Sequence, residues 1–132
     1  MVRIIPFLFF LFLAGSACAQ NRARFSNIVA GMKDWEVEAE AVKLANKRAR
    51  EYAWPEEYRK AKIISDHWKN IYDCDGYLIA REIHLELYAI MRSGRCAMAD
   101  FTFREKLHED GKSTRVLFLY DHIGDLVFIE CE

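Results

Sequence analysis

The chain has 132 residues and a mass of 15.5 kDa; at 52% hydrophobic and 14% aromatic it can fill one core of ordinary size but not two. Lys and Arg number 19 against 20 Asp and Glu, a net charge of -1, so nothing drives the counterion release on which nucleic-acid binding depends. Six Gly, two Pro and 30% charged residues exclude a collagenous, low-complexity or disordered chain.

Residues 1–19 read as an address. Arg3 supplies a short positive lead, residues 4–13 form an apolar run interrupted by Pro6, and Ala17-Cys18-Ala19 fits the small-x-small pattern that a signal peptidase cuts, before Gln20. The run is short for a bilayer span. A signal anchor and lipidation at Cys18 are the alternatives; Gly15 stands where lipidation sites carry a larger aliphatic residue. The expected mature chain is a single α+β domain over residues 20–132, periplasmic or secreted, with no stable membrane span once the signal is removed. In an oxidising compartment Cys74, Cys96 and Cys131 allow one bridge, and the lack of C-x-x-C spacing supports neither a zinc knuckle nor a redox motif.

Residues 20–30 form a polar lead-in. A first helix starts near Asp34, with Glu36, Glu38 and Glu40 early and Lys43, Lys47, Arg48 and Arg50 late, the order that complements the helix dipole. Trp35, Ala39, Val42, Ala45, Ala49 and Tyr52 mark its apolar stripe. Pro55 suits the first position of a second helix, whose stripe is Tyr58, Ala61, Ile64, Trp68 and Ile71 and whose end is the turn Asp73-Cys74-Asp75-Gly76.

From Tyr77 the period becomes two. Ile83, Leu85 and Leu87 alternate with Glu82, His84 and Glu86 in a first strand, residues 97–106 make a second, 114–121 a third and 125–132 a fourth. Ser93-Gly94, Glu109-Asp110-Gly111-Lys112 and Ile123-Gly124 are the turns, and their shortness predicts an antiparallel meander. The expected fold is therefore α+β: two N-terminal amphipathic helices packed on a four-stranded antiparallel meander sheet. That order of elements resembles cystatin-like and NTF2-like shapes. The likeness is one of element order alone, and no Gln-Val-Val-Ala-Gly loop is present, since Ile28-Val29-Ala30-Gly31 lies elsewhere in the chain.

A three-residue loop at Ser93, Gly94 and Arg95 sets Arg92 opposite Cys96, Leu87 opposite Phe101 and Leu85 opposite Phe103, the face expected under the helices. The other face then gathers His84, Glu86 and Tyr88 beside Asp100, Thr102 and Arg104. There, His84 could exchange protons with an acid orienting it, while Tyr88 or Arg104 steadies negative charge. The plainer reading is the solvent face of a half-buried sheet with cross-strand charge pairs. No catalytic residue is assigned. His84, Glu86, Tyr88, Asp100 and Arg104 stand as candidate binding residues.

No metal or cofactor is implied. A calcium loop from Asp73 would need Gly and Glu where Leu78 and His84 stand. Asp121, His122 and Asp125 fit a turn, His67 has no histidine four residues on, and His108 lies near a charged turn. Gly-x-Ser-x-Gly and phosphate-cradling loops are absent.

A two-residue turn at Ile123-Gly124 would set Tyr120 opposite Val127 and Phe118 opposite Ile129, placing Leu117, Leu119, Leu126 and Phe128 on the outer face of strands three and four. An apolar outer face calls for a cover. Either residues 25–32 fold back over it, or a protein partner or homodimer docks there. The expected function is binding, as an inhibitor or immunity-type antagonist of a protein partner. The alternative is a small-ligand binder or enzyme with a conical cavity between helices and sheet, which needs His84, Tyr88 and Asp100 to point inward. In the meander Cys74 and Cys131 share one end and Cys96 opens the other, which predicts a bridge between Cys74 and Cys131, if the sheet curls, and leaves Cys96 a reduced, buried thiol.

Overall fold

The structure is a computed structural model and describes residues 31–131. The signal segment, the cleavage point before Gln20 and Cys18 lie outside the described residues. Helix α1 (Asp34–Glu51) carries Asp34 and Glu36 in its first turn and Arg48 and Arg50 in its last, as the dipole favours. Its buried ridge is Val37, Ala41, Ala45 and Ala49, one residue every fourth position. That ridge corrects the predicted stripe: Trp35 and Tyr52 are exposed, while the three alanines are small enough to let the helix lie close on the sheet. The helix ends in a Schellman motif, with Trp54 N–H donating to the Ala49 carbonyl at 2.8 Å and Ala53 N–H to Arg50 at 3.3 Å, and Ala53 in the left-handed region at φ 54°.

No second helix follows. Residues after Pro55 form β1 (Glu56–Ile63) and β2 (Lys69–Tyr72), then β3 (Leu78–Met91), β4 (Cys96–Leu107) and β5 (Ser113–Ile129) complete a five-stranded antiparallel sheet. The order is β1-β3-β4-β5, with β2 pairing β3 on the same edge as β1. The three-residue step from Tyr58 to Ala61 that reads as helical is a strand step with one extra residue: the register of β1 against β3 shifts between Tyr58 and Lys60, and both Tyr58 and Ala61 stay buried.

Three hairpin loops share one construction. In residues 73–77, 91–95 and 108–112 the first residue's N–H donates to the fifth's carbonyl and the fourth's N–H donates to the first's carbonyl, with Gly76, Gly94 or Gly111 at φ near 85°. This is a type I turn closed by a left-handed glycine. The β3–β4 loop is thus Arg92, Ser93 and Gly94, one position earlier than predicted, and Leu87 faces Ala99 while Leu85 faces Phe101. Moving a loop by one residue slips the register by two, so every side chain keeps its predicted face.

Residues 113–129 are one strand, not two. Gly124, at φ 71°, lies within a register shift of β5 against β4 rather than in a turn, and two further shifts bend the strand along its length. Consequently Ile129 lies beside Cys96, and Cys131 just beyond it forms a disulfide with Cys96, Cα atoms 5.2 Å apart. The pairing of Cys74 with Cys131 and the reduced Cys96 are overturned, because without the fourth-strand reversal the chain ends at the opposite end of the sheet. Cys74 is also disulfide-bonded.

The core lies between α1 and one face of the sheet, where Val37, Ala41 and Ala45 meet Leu85, Leu87, Phe101 and Phe103. Two polar side chains of α1 hold the edge of β1: Asn46 accepts from Tyr58 N–H at 2.7 Å and donates to its carbonyl at 2.9 Å, and Glu38 accepts from Ile63 N–H at 3.1 Å. The helix thereby covers backbone that an edge strand would otherwise offer to another chain.

Candidate functional site

Three regions concentrate polar or aromatic side chains: the outward face of the sheet, a buried charged knot at the start of α1, and an open recess beside the segment that follows α1.

On β3 and β4 the outward face carries the predicted set. Glu86 faces Asp100, His84 faces Thr102, Tyr88 faces Met98 and Arg104 faces Glu82. All of these point away from α1, so the inward His84, Tyr88 and Asp100 required by a catalytic cone do not occur. The face is largely self-paired. Arg104 donates to Glu82 at 2.8 Å and lies 3.4 Å over the Tyr120 ring, Tyr88 donates to Glu86, and Lys60 lies 5.6 Å from the Tyr88 ring centre. His84 faces no carboxylate across the strand pair. Asp100 Oδ1 is buried with no donor among the described residues.

On β5 the same face changes character. Val116 faces Lys106, Phe118 faces Arg104, Ile123 faces Asp100 and Val127 faces Met98. With Tyr120, these side chains are between 37% and 52% exposed, which is high for large apolar groups lying in one row. Sequence reasoning chose the wrong row. Leu117, Leu119 and Leu126 pack against the core, while Phe128, opposite Ala97 on the same side of the strand, stays 46% exposed beside Arg95. Both rows of β5 are apolar, so alternation alone could not assign them; the register against β4 does.

The buried knot centres on Glu105, which is fully buried on the apolar face. Arg81 donates to its carboxylate, Met32 N–H donates at 2.7 Å, and Ser113 Oγ–H donates at 2.6 Å. Arg81 also donates to the Met32 carbonyl at 2.7 Å and stacks 3.6 Å over the Trp68 ring. A methyl group on Gly31 would sit 2.7 Å from the Arg81 guanidinium, so a larger residue there would have to push that guanidinium aside. These bonds all lie within the chain. The knot ties the entry of α1 to β3, β4 and β5.

An open recess beside the segment that follows α1 has a volume near 320 Å³ and is lined by Trp54, Glu56, Tyr58, Phe101, His122 and Asp125, among others, with Tyr58 and Phe101 themselves buried. Tyr58 meets Phe101 edge to face at 5.5 Å, and the His122 ring lies 6.3 Å from Phe101. Tyr58 OH donates to Glu56 at 3.2 Å; burial first, and the Glu56 carboxylate second, push its phenol well above the usual range. The phenol is therefore a fixed neutral donor. Sequence reasoning missed this group because it read His122 and Asp125 as turn residues and Tyr58 as helical.

Among the described residues, no group of three His, Cys, Asp or Glu side chains is arranged to hold a metal. No helix there is long and apolar enough to cross a membrane. The disulfide between Cys96 and Cys131 and that lack of a spanning helix are compatible with an exported protein. Compared with protein-family models, with curated proteins and with solved structures, the chain matches none.

Proposed function

We propose that the protein is a small exported binding protein, an inhibitor or antagonist that acts by docking the outward face of β5 on a protein partner. The observation that carries the reading is the exposed row Val116, Phe118, Tyr120, Ile123 and Val127. Of its neighbours on β3 and β4, Arg104 pairs with Glu82 and Glu86 accepts from Tyr88, while Asp100, opposite Ile123, keeps a buried carboxylate oxygen without a donor among the described residues. Such a row selects a protein surface that is apolar at its centre and polar at its rim, the usual anatomy of a specific interface. Charge-driven partners are disfavoured by the same self-pairing and by the net charge of -1. The cystatin-like likeness in element order belongs to this reading as analogy only.

Phe118→Glu with Val127→Glu tests the proposal. The partner is captured from the envelope or secretions with the wild-type chain, purified, and titrated back against both proteins by calorimetry. The expected result is stoichiometric binding by the wild type and a loss of at least about 100-fold in the variant, because two apolar contacts of the row become buried charges. A folded variant that binds as tightly as the wild type, or a captured protein that does not bind when purified, overturns it.

A further inference from the structure

A disulfide bond occupies Cys74, which stands exposed in the loop of residues 73–77 between β2 and β3. The Asp73 carboxylate shapes that loop, accepting from the N–H groups of Asp75 and Tyr77 at 2.9 Å. The chain has four cysteines, and Cys96 and Cys131 bond each other. They also lie at the far end of β3, whose run from Leu78 to Met91 spans roughly 45 Å at about 3.3 Å per residue. A bridge needs Cα atoms within about 7 Å, so neither is within reach of Cys74. Cys18 is the cysteine left over.

The entry of the chain agrees. Met32 N–H donates to Glu105 at 2.7 Å, and Arg81 donates to the Met32 carbonyl at 2.7 Å. Arg81 faces Glu105 near the start of β3, so the chain enters the domain at the end of the sheet that carries the 73–77 loop. Fourteen residues separate Cys18 from Met32, a tether that can reach about 45 Å and so exceeds the distance from Arg81 to that loop. Three cysteines leave an exported domain with an odd thiol, whereas four close two bridges.

We propose that Cys18 stays in the exported protein and bridges Cys74, which moves the signal cut from before Gln20 to the Ala17–Cys18 bond. Gly15-Ser16-Ala17 offers small residues at both positions that the peptidase reads, as Ala17-Cys18-Ala19 does. Water adds across the Ala17–Cys18 peptide bond and leaves a carboxylate on Ala17 and an amino group on Cys18. The Cys18 and Cys74 thiols then give two protons and two electrons to a disulfide oxidant of the export compartment, which leaves as two thiols. The bridge fastens the N-terminal segment to the 73–77 loop and, with the Cys96–Cys131 bond, ties both ends of the sheet. It also uses the sulfur that lipid attachment at Cys18 requires. The apolar row of β5 plays no part in it, so this proposal and the proposed function stand or fall separately.

The test takes the full chain, expressed with its own signal and recovered from the compartment to which it is exported. The protein is denatured, alkylated without reduction, digested with trypsin and mapped by mass spectrometry. The expected result is no alkylated cysteine, and a peptide of residues 18–22, beginning at a free Cys18 amino group, joined to residues 70–81. A chain that begins at Gln20, an alkylated Cys74, Cys74 joined to any sulfur other than that of Cys18, or lipid on Cys18 overturns the proposal. Cys74→Ser supplies the complementary result: the mature variant should still begin at Cys18, now alkylated, and a mature variant that lacks Cys18 overturns the proposal. The map of the unaltered chain decides the matter even if the variant fails to fold.

Discussion

Ala53 holds a left-handed backbone at φ 54° where helices that end in a Schellman motif usually place glycine. A Cβ in that region costs on the order of 1–2 kcal/mol, partly offset by the extra freedom glycine has in the unfolded chain. Ala53→Gly should therefore stabilise the protein by about 0.5–1 kcal/mol, read as a rise in the urea midpoint; an unchanged or lower midpoint contradicts the motif. Individual residues were unevenly legible in the sequence. The faces of His84, Glu86, Tyr88, Asp100 and Arg104 were read correctly, because strand alternation survives a register slip of two. Glu105 was not, since its place among Phe101, Phe103 and Leu107 makes sense only with Arg81, 24 residues away, brought beside it.

At the scale of elements, helix α1 and strands β3 and β4 were legible, and the edges were not. The segment after Pro55 carries apolar residues three apart because β1 is bulged, and a bulge converts a period of two into a step of three. Ile123-Gly124 looks like a hairpin turn, yet a left-handed glycine serves a bulge equally well, and local sequence does not distinguish them. The continuity of β5 decides the disulfide. Non-reducing peptide mapping should link the Cys96 and Cys131 peptides. Replacing both with Ser should cost about 3–4 kcal/mol, the loop-closure entropy of a separation of 35 residues. A link between Cys74 and Cys131 would restore the four-strand meander and refute the single strand.

For the whole molecule, the α+β class and a helix over Leu85, Leu87, Phe101 and Phe103 could be read from pattern, whereas the location of exposed apolar surface could not. That surface depends on which of two apolar rows of β5 turns inward, and only pairing with β4 sets it. The result is a sheet with α1 on one face and, on the other, a self-paired polar half beside an apolar half. Arg59, Lys60, Lys62 and Lys69 lie on the opposite edge, where charged side chains discourage strand addition. Under the proposed function, this asymmetry would place a partner on β5. The most direct test is methyl nuclear magnetic resonance of the chain titrated with its purified protein partner. The account predicts that the methyl signals of Val116, Ile123 and Val127 shift or broaden in saturable fashion while those of Leu85 and Leu87 in the core stay fixed. Perturbations confined to the hairpin loops or to the cavity at Trp54, with Val116, Ile123 and Val127 unmoved, would contradict it.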